Sequence, residues 1–126
     1  MNTQHNAGVA THIGRYSDAV AVASSSRILF VSGTPGTNLD GTLPIDFETQ
    51  ARLAWDNVIR ILASADMQVK DIVKLTQTLI RRDDLDAYRV IRNDYLGELR
   101  PASMLSFVDG LIWPEILIEL ELIAAR

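Results

Sequence analysis

Glu119 and Glu121 interrupt an otherwise apolar stretch, residues 116–125. In an extended chain the side chains alternate, so Ile116, Ile118, Leu120, Leu122 and Ala124 share one face and Leu117, Glu119, Glu121 and Ile123 the other. Two carboxylates on one face leave two roles open: a solvated or ion-paired couple, or a general base that activates water. Arg92 is the second group that draws notice. It stands four residues after Tyr88 and three before Tyr95, at the border of a helical stripe expected to pack inward. Its stem can pack while its guanidinium reaches water, or the guanidinium can hold an anion. Arg100, next to Pro101, is an alternative anion contact.

Other chemistry finds little support. His5 and His12 are the only histidines and both lie in the N-terminal arm, so neither a Ser-His-Asp triad nor a histidine metal site is expected. Cysteine is absent, which removes thiolate catalysis, disulfides and zinc-thiolate sites together. Gly33-Thr34-Pro35-Gly36 matches neither phosphate-binding fingerprint, and its proline lacks a backbone donor such a loop uses. Trp55 and Trp113 read as core or interface residues. No metal and no cofactor are expected.

The elements that must position these groups follow from periodicity. Residues 17–23 and 27–32 are short β-branched segments separated by Ser24-Ser25-Ser26 and read as a strand pair joined by a short turn. The turn formers of 33–41 read as a loop. Residues 46–65 place Phe47, Ala51, Ala54, Val58, Ile61 and Leu62 at intervals of three and four, a helix with one buried face and Asp46 as N-cap. In 72–81, Lys74, Thr76 and Thr78 alternate with Val73, Leu75 and Leu79, as in a strand. Asp83-Asp84-Leu85-Asp86 supplies capping and negative charge for a second helix that Gly97 stops, with Leu85, Tyr88, Ile91, Tyr95 and Leu99 as its stripe. Residues 102–108 and 116–125 close the chain as two strands. The order ββαβαββ predicts a single α/β (α+β) domain, residues 1–126, with a mixed sheet and both helices on one face.

Bulk composition agrees with a folded domain: 126 residues, 48% apolar, 22% charged, net charge −4. The acidic balance and scattered basic residues argue against nucleic-acid binding, which draws on clustered Lys and Arg. Residues 1–12 lack the apolar core of a secretory signal, and no run approaches the roughly 20 apolar residues of a membrane span. A cytoplasmic protein with no membrane partner is expected.

Read in order, these segments resemble the RidA family, also called YjgF or L-PSP proteins. Ile13-Gly14-Arg15-Tyr16-Ser17 resembles the family's I-G-P-Y-S/V opening, and Ser32-Gly33-Thr34-Pro35 with Asn38 its S-G-Q-x-P-x-N loop. Gln50-Ala51-Arg52 with Asn57-Val58 follows Q-A-R-x-x-x-x-N-V, and Asp71-Ile72-Val73-Lys74 is similar to D-I-V-K. Tyr95 stands at the tyrosine of N-x-x-Y. Pro101-Ala102 and 118–124 correspond to P-A-R-S and I-E-I-E-A-I-A.

The resemblance implies a chorismate-mutase-like homotrimer whose sheets close into a barrel, with small-acid pockets at the subunit clefts. In the family's deaminases the P-A-R-S arginine pairs with the substrate carboxylate. The first glutamate of I-E-I-E positions the water that attacks an imine carbon. Carried across, that glutamate is Glu119, and Tyr16, Ser32 and Gly33 help to line the pocket. The arginine position is Ser103, whose hydroxyl cannot replace a charged bidentate clamp. Leu105 stands where many relatives have cysteine, and Arg92 where many have the asparagine of N-x-x-Y. The expectation is a small carboxylic acid ligand with Arg92 supplying the displaced guanidinium. The activity, if any, is hydrolytic deamination of an imine or enamine acid. A trimer that binds small molecules or acts like a chaperone without chemistry is the alternative, and the endoribonuclease attached to the family by name ranks below both.

Overall fold

The first helix begins where Asp46 ends the preceding loop. Its carboxylate accepts hydrogen bonds from the Thr49 backbone N–H at 2.9 Å and the Thr49 hydroxyl at 2.7 Å. These contacts hold the Asp46 carboxyl below its usual pKa, the hydroxyl contributing most. In the computed structural model, which describes residues 2–126, this helix is α1 (Phe47–Ser64). Ala51, Ala54, Trp55, Val58 and Leu62 of its apolar face are inaccessible to solvent, whereas Ile61, expected on that face, stands at its exposed border. The second helix, α2 (Leu85–Leu96), ends at Gly97, whose φ of 55° suits a glycine. The Asp84 side chain does not cap it. Instead Asp84 accepts from Nε and Nη2 of Arg81 at 2.8 and 3.1 Å, so the expected capping charge is spent on an ion pair.

The described residues form six strands: β1 (Thr3–His5), β2 (Ala19–Ala21), β3 (Ile28–Pro35), β4 (Ile72–Leu79), β5 (Ala102–Phe107) and β6 (Ile118–Ala125). The main sheet has the order β3-β6-β4-β5, with β4 and β5 parallel and the other pairs antiparallel. It is a mixed sheet, as the element order implied. β1 and β2 form a separate antiparallel ribbon.

That ribbon corrects the expected pairing of residues 17–23 with 27–32. β3 pairs with β6, and the N-terminal arm takes the place beside β2. Asp18 explains the choice, since its carboxylate accepts from the N–H groups of Ala7 and Ala10, both at 2.6 Å, and of Val9 at 3.3 Å. These bonds fold the arm back on itself. β3 also outlasts its predicted end and continues to Pro35, through a register shift between Val31 and Thr34.

The core lies between the helices and one sheet face. Leu75, Gln77 and Leu79 of β4 and Ile118, Leu120 and Leu122 of β6 point into it, as period-2 alternation requires. The opposite face bears Thr76, Thr78, Glu119, Glu121 and Ile123, with Phe30 75% and Met104 57% exposed. Two motif glutamine and asparagine side chains hold loops to this frame. Gln50 is wholly buried, donating to the Pro44 and Glu115 carbonyls and accepting from Leu117 N–H. Asn57 donates to the carbonyls of Pro35 and Thr37 at 3.0 and 2.9 Å. Among the described residues no helix is long and apolar enough to cross a membrane.

Candidate functional site

The opening segment is fastened to β5. Ser17 N–H donates to the Pro101 carbonyl at 3.2 Å, its hydroxyl to the Arg100 carbonyl at 2.5 Å, and the residue bridges to Ala102. Arg15 and Tyr16, just before this anchor, line the same recess as Ser103. α2 crosses the same edge of the sheet, and a cavity of about 410 Å³ is left between the three elements. Ile13, Tyr16, Leu85 and Leu105 give it apolar walls; Arg15, Arg89, Arg92, Asn93 and Ser103 give it polar ones. That size is ordinary for a small-molecule pocket.

Among the described residues no carboxylate lines this cavity, whereas three guanidiniums do. Arg92 is half-buried, and among the described residues its side chain makes one hydrogen bond, Nη2 donating to the Arg15 carbonyl at 3.3 Å. Burial holds its pKa down; the Tyr88 hydroxyl works against that, and the charges of Arg100, Arg89 and Arg15 add to the depression. Guanidinium nevertheless remains charged at any physiological pH. Arg89 has one weak partner, Asp86 at 3.6 Å, and both side chains of that pair are more than half exposed. The cavity is thus a cationic recess with an unmet demand for anions.

Ser103 sits at the end of a buried chain of hydrogen bonds. Tyr88 OH donates to Gln77 Oε1 at 2.6 Å, and Gln77 Nε2 donates to Ser103 Oγ at 2.8 Å and the Met104 carbonyl at 3.3 Å. Tyr88 and Gln77 are both fully inaccessible, and burial pushes the Tyr88 hydroxyl well above its ordinary pKa. The Met104 carbonyl fixes which end of the Gln77 amide is the donor. Ser103 Oγ therefore accepts from Gln77, and none of the described residues takes its own proton. That proton is free for a group in the cavity.

Glu119 belongs to a second cluster. It lies on the sheet face away from the helices, opposite Thr78 on β4 and Pro35 on β3. Ser32 and Gly33 occupy the bulge, where one extra β3 residue is accommodated between the Val31–Leu122 and Thr34–Leu120 pairs. Gly33 passes directly beneath the glutamate: a Cβ built there would stand 1.7 Å from Glu119 Oε1. Any side chain at 33 would occupy the space the carboxylate fills.

Of the residues singled out from sequence, Tyr16, Arg92, Ser103 and Leu105 thus share one cavity. Glu119, Ser32 and Gly33 share the other sheet face. A single chain does not bring Arg92 and Glu119 together. Arg100 turns away from the cavity, donating to the Gly97 and Leu99 carbonyls at 2.9 and 3.0 Å. His5 and His12 are exposed on the N-terminal arm, and no group of three or more potential metal ligands occurs among the described residues. The sequence reading missed Arg15, Arg89 and Gln77. Gln77 carried a signal, since it interrupts the inward-facing register of Leu75 and Leu79.

Comparison with known proteins gives one consistent result. The family model for endoribonuclease L-PSP matches residues 8–126. YjgH of Escherichia coli, a RutC family protein by name, is 45% identical over 62 residues. That alignment takes in 49% of this chain and 45% of YjgH, about half the length of each. The RutC family protein PYRAB12510 of Pyrococcus abyssi is 31% identical over 124 residues, covering 90% of this chain and 88% of its own. Among solved structures, YyfB of Yersinia pestis, from the conserved Rid family, superposes with a TM-score of 0.86 at 26% identity, over 99% of this chain and 98% of that one.

Proposed function

The chain belongs to the endoribonuclease L-PSP family, the RidA/YjgF group its motifs resemble, and from that membership we propose that it binds a small carboxylic acid in the cavity floored by Arg92 and Ser103. The observation that carries this reading is the imbalance of charge in the cavity: among the described residues three guanidiniums line it and no carboxylate does. Loss of the P-A-R-S arginine at Ser103 is offset by Arg92 from the helix side. A carboxylate there gains charge-assisted bonds from Arg92 and a neutral one from the free Ser103 proton.

The chemistry we propose is hydrolytic deamination of an imine or enamine acid. Glu119 accepts a proton from water as the water oxygen bonds to the imine carbon. The C=N electron pair moves onto nitrogen, which receives that proton back from Glu119 to give a tetrahedral amino alcohol; the hydroxyl proton then passes through Glu119 to nitrogen as the C–O bond becomes C=O, the C–N bond breaks and ammonia leaves the carbonyl acid. For Glu119 to serve the cavity, the two must come from different protomers, because they lie on opposite faces of one sheet. A homotrimer with sheets facing a central barrel meets that requirement. The exposed Phe30 and Met104, on the same face as Glu119, favour such burial. A cytoplasmic setting goes with this reading.

The test couples an amino-acid oxidase, which generates imines in place, to measurement of ammonia release. The wild type should accelerate release over the blank, and Glu119→Gln should lower it by about 10² or more, as for loss of a general base. Equal rates for wild type, Glu119→Gln and blank would reject catalysis. A second reading, a binding trimer without chemistry, is favoured specifically by serine at position 103, and that same result would support it.

A further inference from the structure

The cavity holds more positive charge than one carboxylate can answer, and the charges stand at different depths. Arg92 is half-buried in its floor, whereas Arg15 and Arg89 are exposed at its rim. Two sequence departures meet here: arginine replaces the proline of the opening motif at 15 and the asparagine of N-x-x-Y at 92. The backbone joins them directly, since Arg92 donates to the Arg15 carbonyl. The rim residues lack strong partners of their own. Arg15 makes no ion pair among the described residues, and the Arg89–Asp86 contact is long and solvent-screened.

We infer that the ligand is a small dianion with its two negative groups at opposite ends, one held by Arg92 and Ser103 on the floor and the other by Arg15 and Arg89 at the rim. This rests on the acid-binding reading above and narrows its substrate class. Apolar Ile13, Leu85 and Leu105 line the same cavity and suit a short hydrocarbon spacer. A second anion relieves the mutual repulsion of the guanidiniums as well as forming new pairs.

The test compares pentanoate with glutarate, which have five carbons each and differ in one carboxylate, by calorimetric titration of the full-length protein at about pH 8. Glutarate should bind roughly tenfold tighter, the difference one charge-assisted contact makes. The double variant Arg15→Ala/Arg89→Ala should bring the two within about twofold by weakening glutarate about fivefold more than pentanoate, with an unchanged circular dichroism spectrum and melting temperature as the control for folding; a glutarate preference that survives in the folded double variant would overturn the rim assignment. Near 1 M salt, where the screening length is about 3 Å, the wild-type preference should shrink. Equal binding of the two acids would overturn the dianion inference and leave the acid pocket standing. Failure of both to bind at millimolar concentration would overturn both. Propyl phosphate, which carries its charge at one end, should bind more weakly than glutarate; the reverse order would make this a phosphate site and overturn the two-ended ligand.

Discussion

Two glycines three residues apart, Gly33 in the β3 bulge and Gly36 just past the end of β3, make opposite demands, and substituting each by alanine separates them. At Gly33 the three atoms nearest a new Cβ all belong to the Glu119 side chain: Oε1 at 1.7 Å, Cδ at 2.8 Å and Cγ at 3.3 Å. Gly33 is not in the left-handed region, so alanine is conformationally allowed there. The carboxylate is the free end of a flexible side chain and can swing aside, at a rotamer cost of about 0.5–1.5 kcal/mol. Reduced freedom of the unfolded chain returns about 0.4–1 kcal/mol. Gly33→Ala should therefore lie within about 1 kcal/mol of wild type, a shift of a few degrees at most for a chain of this size. At Gly36 the new Cβ would stand 2.0 Å from the Gln50 carbonyl oxygen and 2.7 Å from Gln50 C and Cα, all backbone of α1. Nothing there can rotate away, so Gly36→Ala should lose about 2 kcal/mol or more through backbone displacement. Thermal and urea denaturation measure both. A double-variant cycle isolates the cause: truncating the clash partner in Glu119→Ala should abolish any cost of Gly33→Ala. If Glu119 is the base proposed above, ammonia release should fall in Gly33→Ala nearly as far as in Glu119→Gln, because its carboxylate has been moved without the fold being touched. Equal destabilisation by the two alanines, or a Gly33→Ala cost that survives in the Glu119→Ala background, would refute this placement of Glu119.

Two further outcomes follow from buried and exposed hydrogen bonds. Tyr88→Phe leaves Gln77 Oε1 without its donor in a fully buried site and should cost about 1–3 kcal/mol in urea denaturation; an unchanged midpoint would mean the Tyr88–Gln77–Ser103 chain does not bear on stability. Asp18 has its folded pKa held below 3.8, chiefly by the Ala7 and then the Ala10 N–H, so its support of the N-terminal arm is complete above 3.8 and disappears as pH falls through the lowered value. The amide resonances of Ala7 and Ala10 should titrate with a midpoint under 3.8, and a midpoint at or above it would contradict the assignment.

How much of this was legible in the sequence depended on whether a residue's surroundings are set by its near neighbours. Strand β6 could be read because its burial is dictated by alternation within ten residues, and α1 because its stripe and Asp46 cap are local. β1 and β2 could not, since three-residue strands carry too little periodicity and their pairing is decided by Asp18 gathering N–H groups eight to eleven residues away. The extension of β3 to Pro35 was hidden by its turn-forming composition; pairing with β6 across a bulge overrode it. The site divides along the same line. Motif resemblance located Tyr16, Ser103, Leu105 and Arg92 individually, and Ser17 docking on β5 is what assembles them around one cavity. Arg15 and Arg89 look like ordinary surface arginines until that docking is known. Their charge gains meaning because Arg92, one turn further along α2 than Arg89, has no acidic partner among the described residues. Under the proposed acid-binding reading, serine at 103 with three arginines around the same space keeps a site for an anion and changes its geometry. On that proposal the acids bound should differ from those of relatives that carry the strand arginine, in length and in charge rather than in the need for a carboxylate.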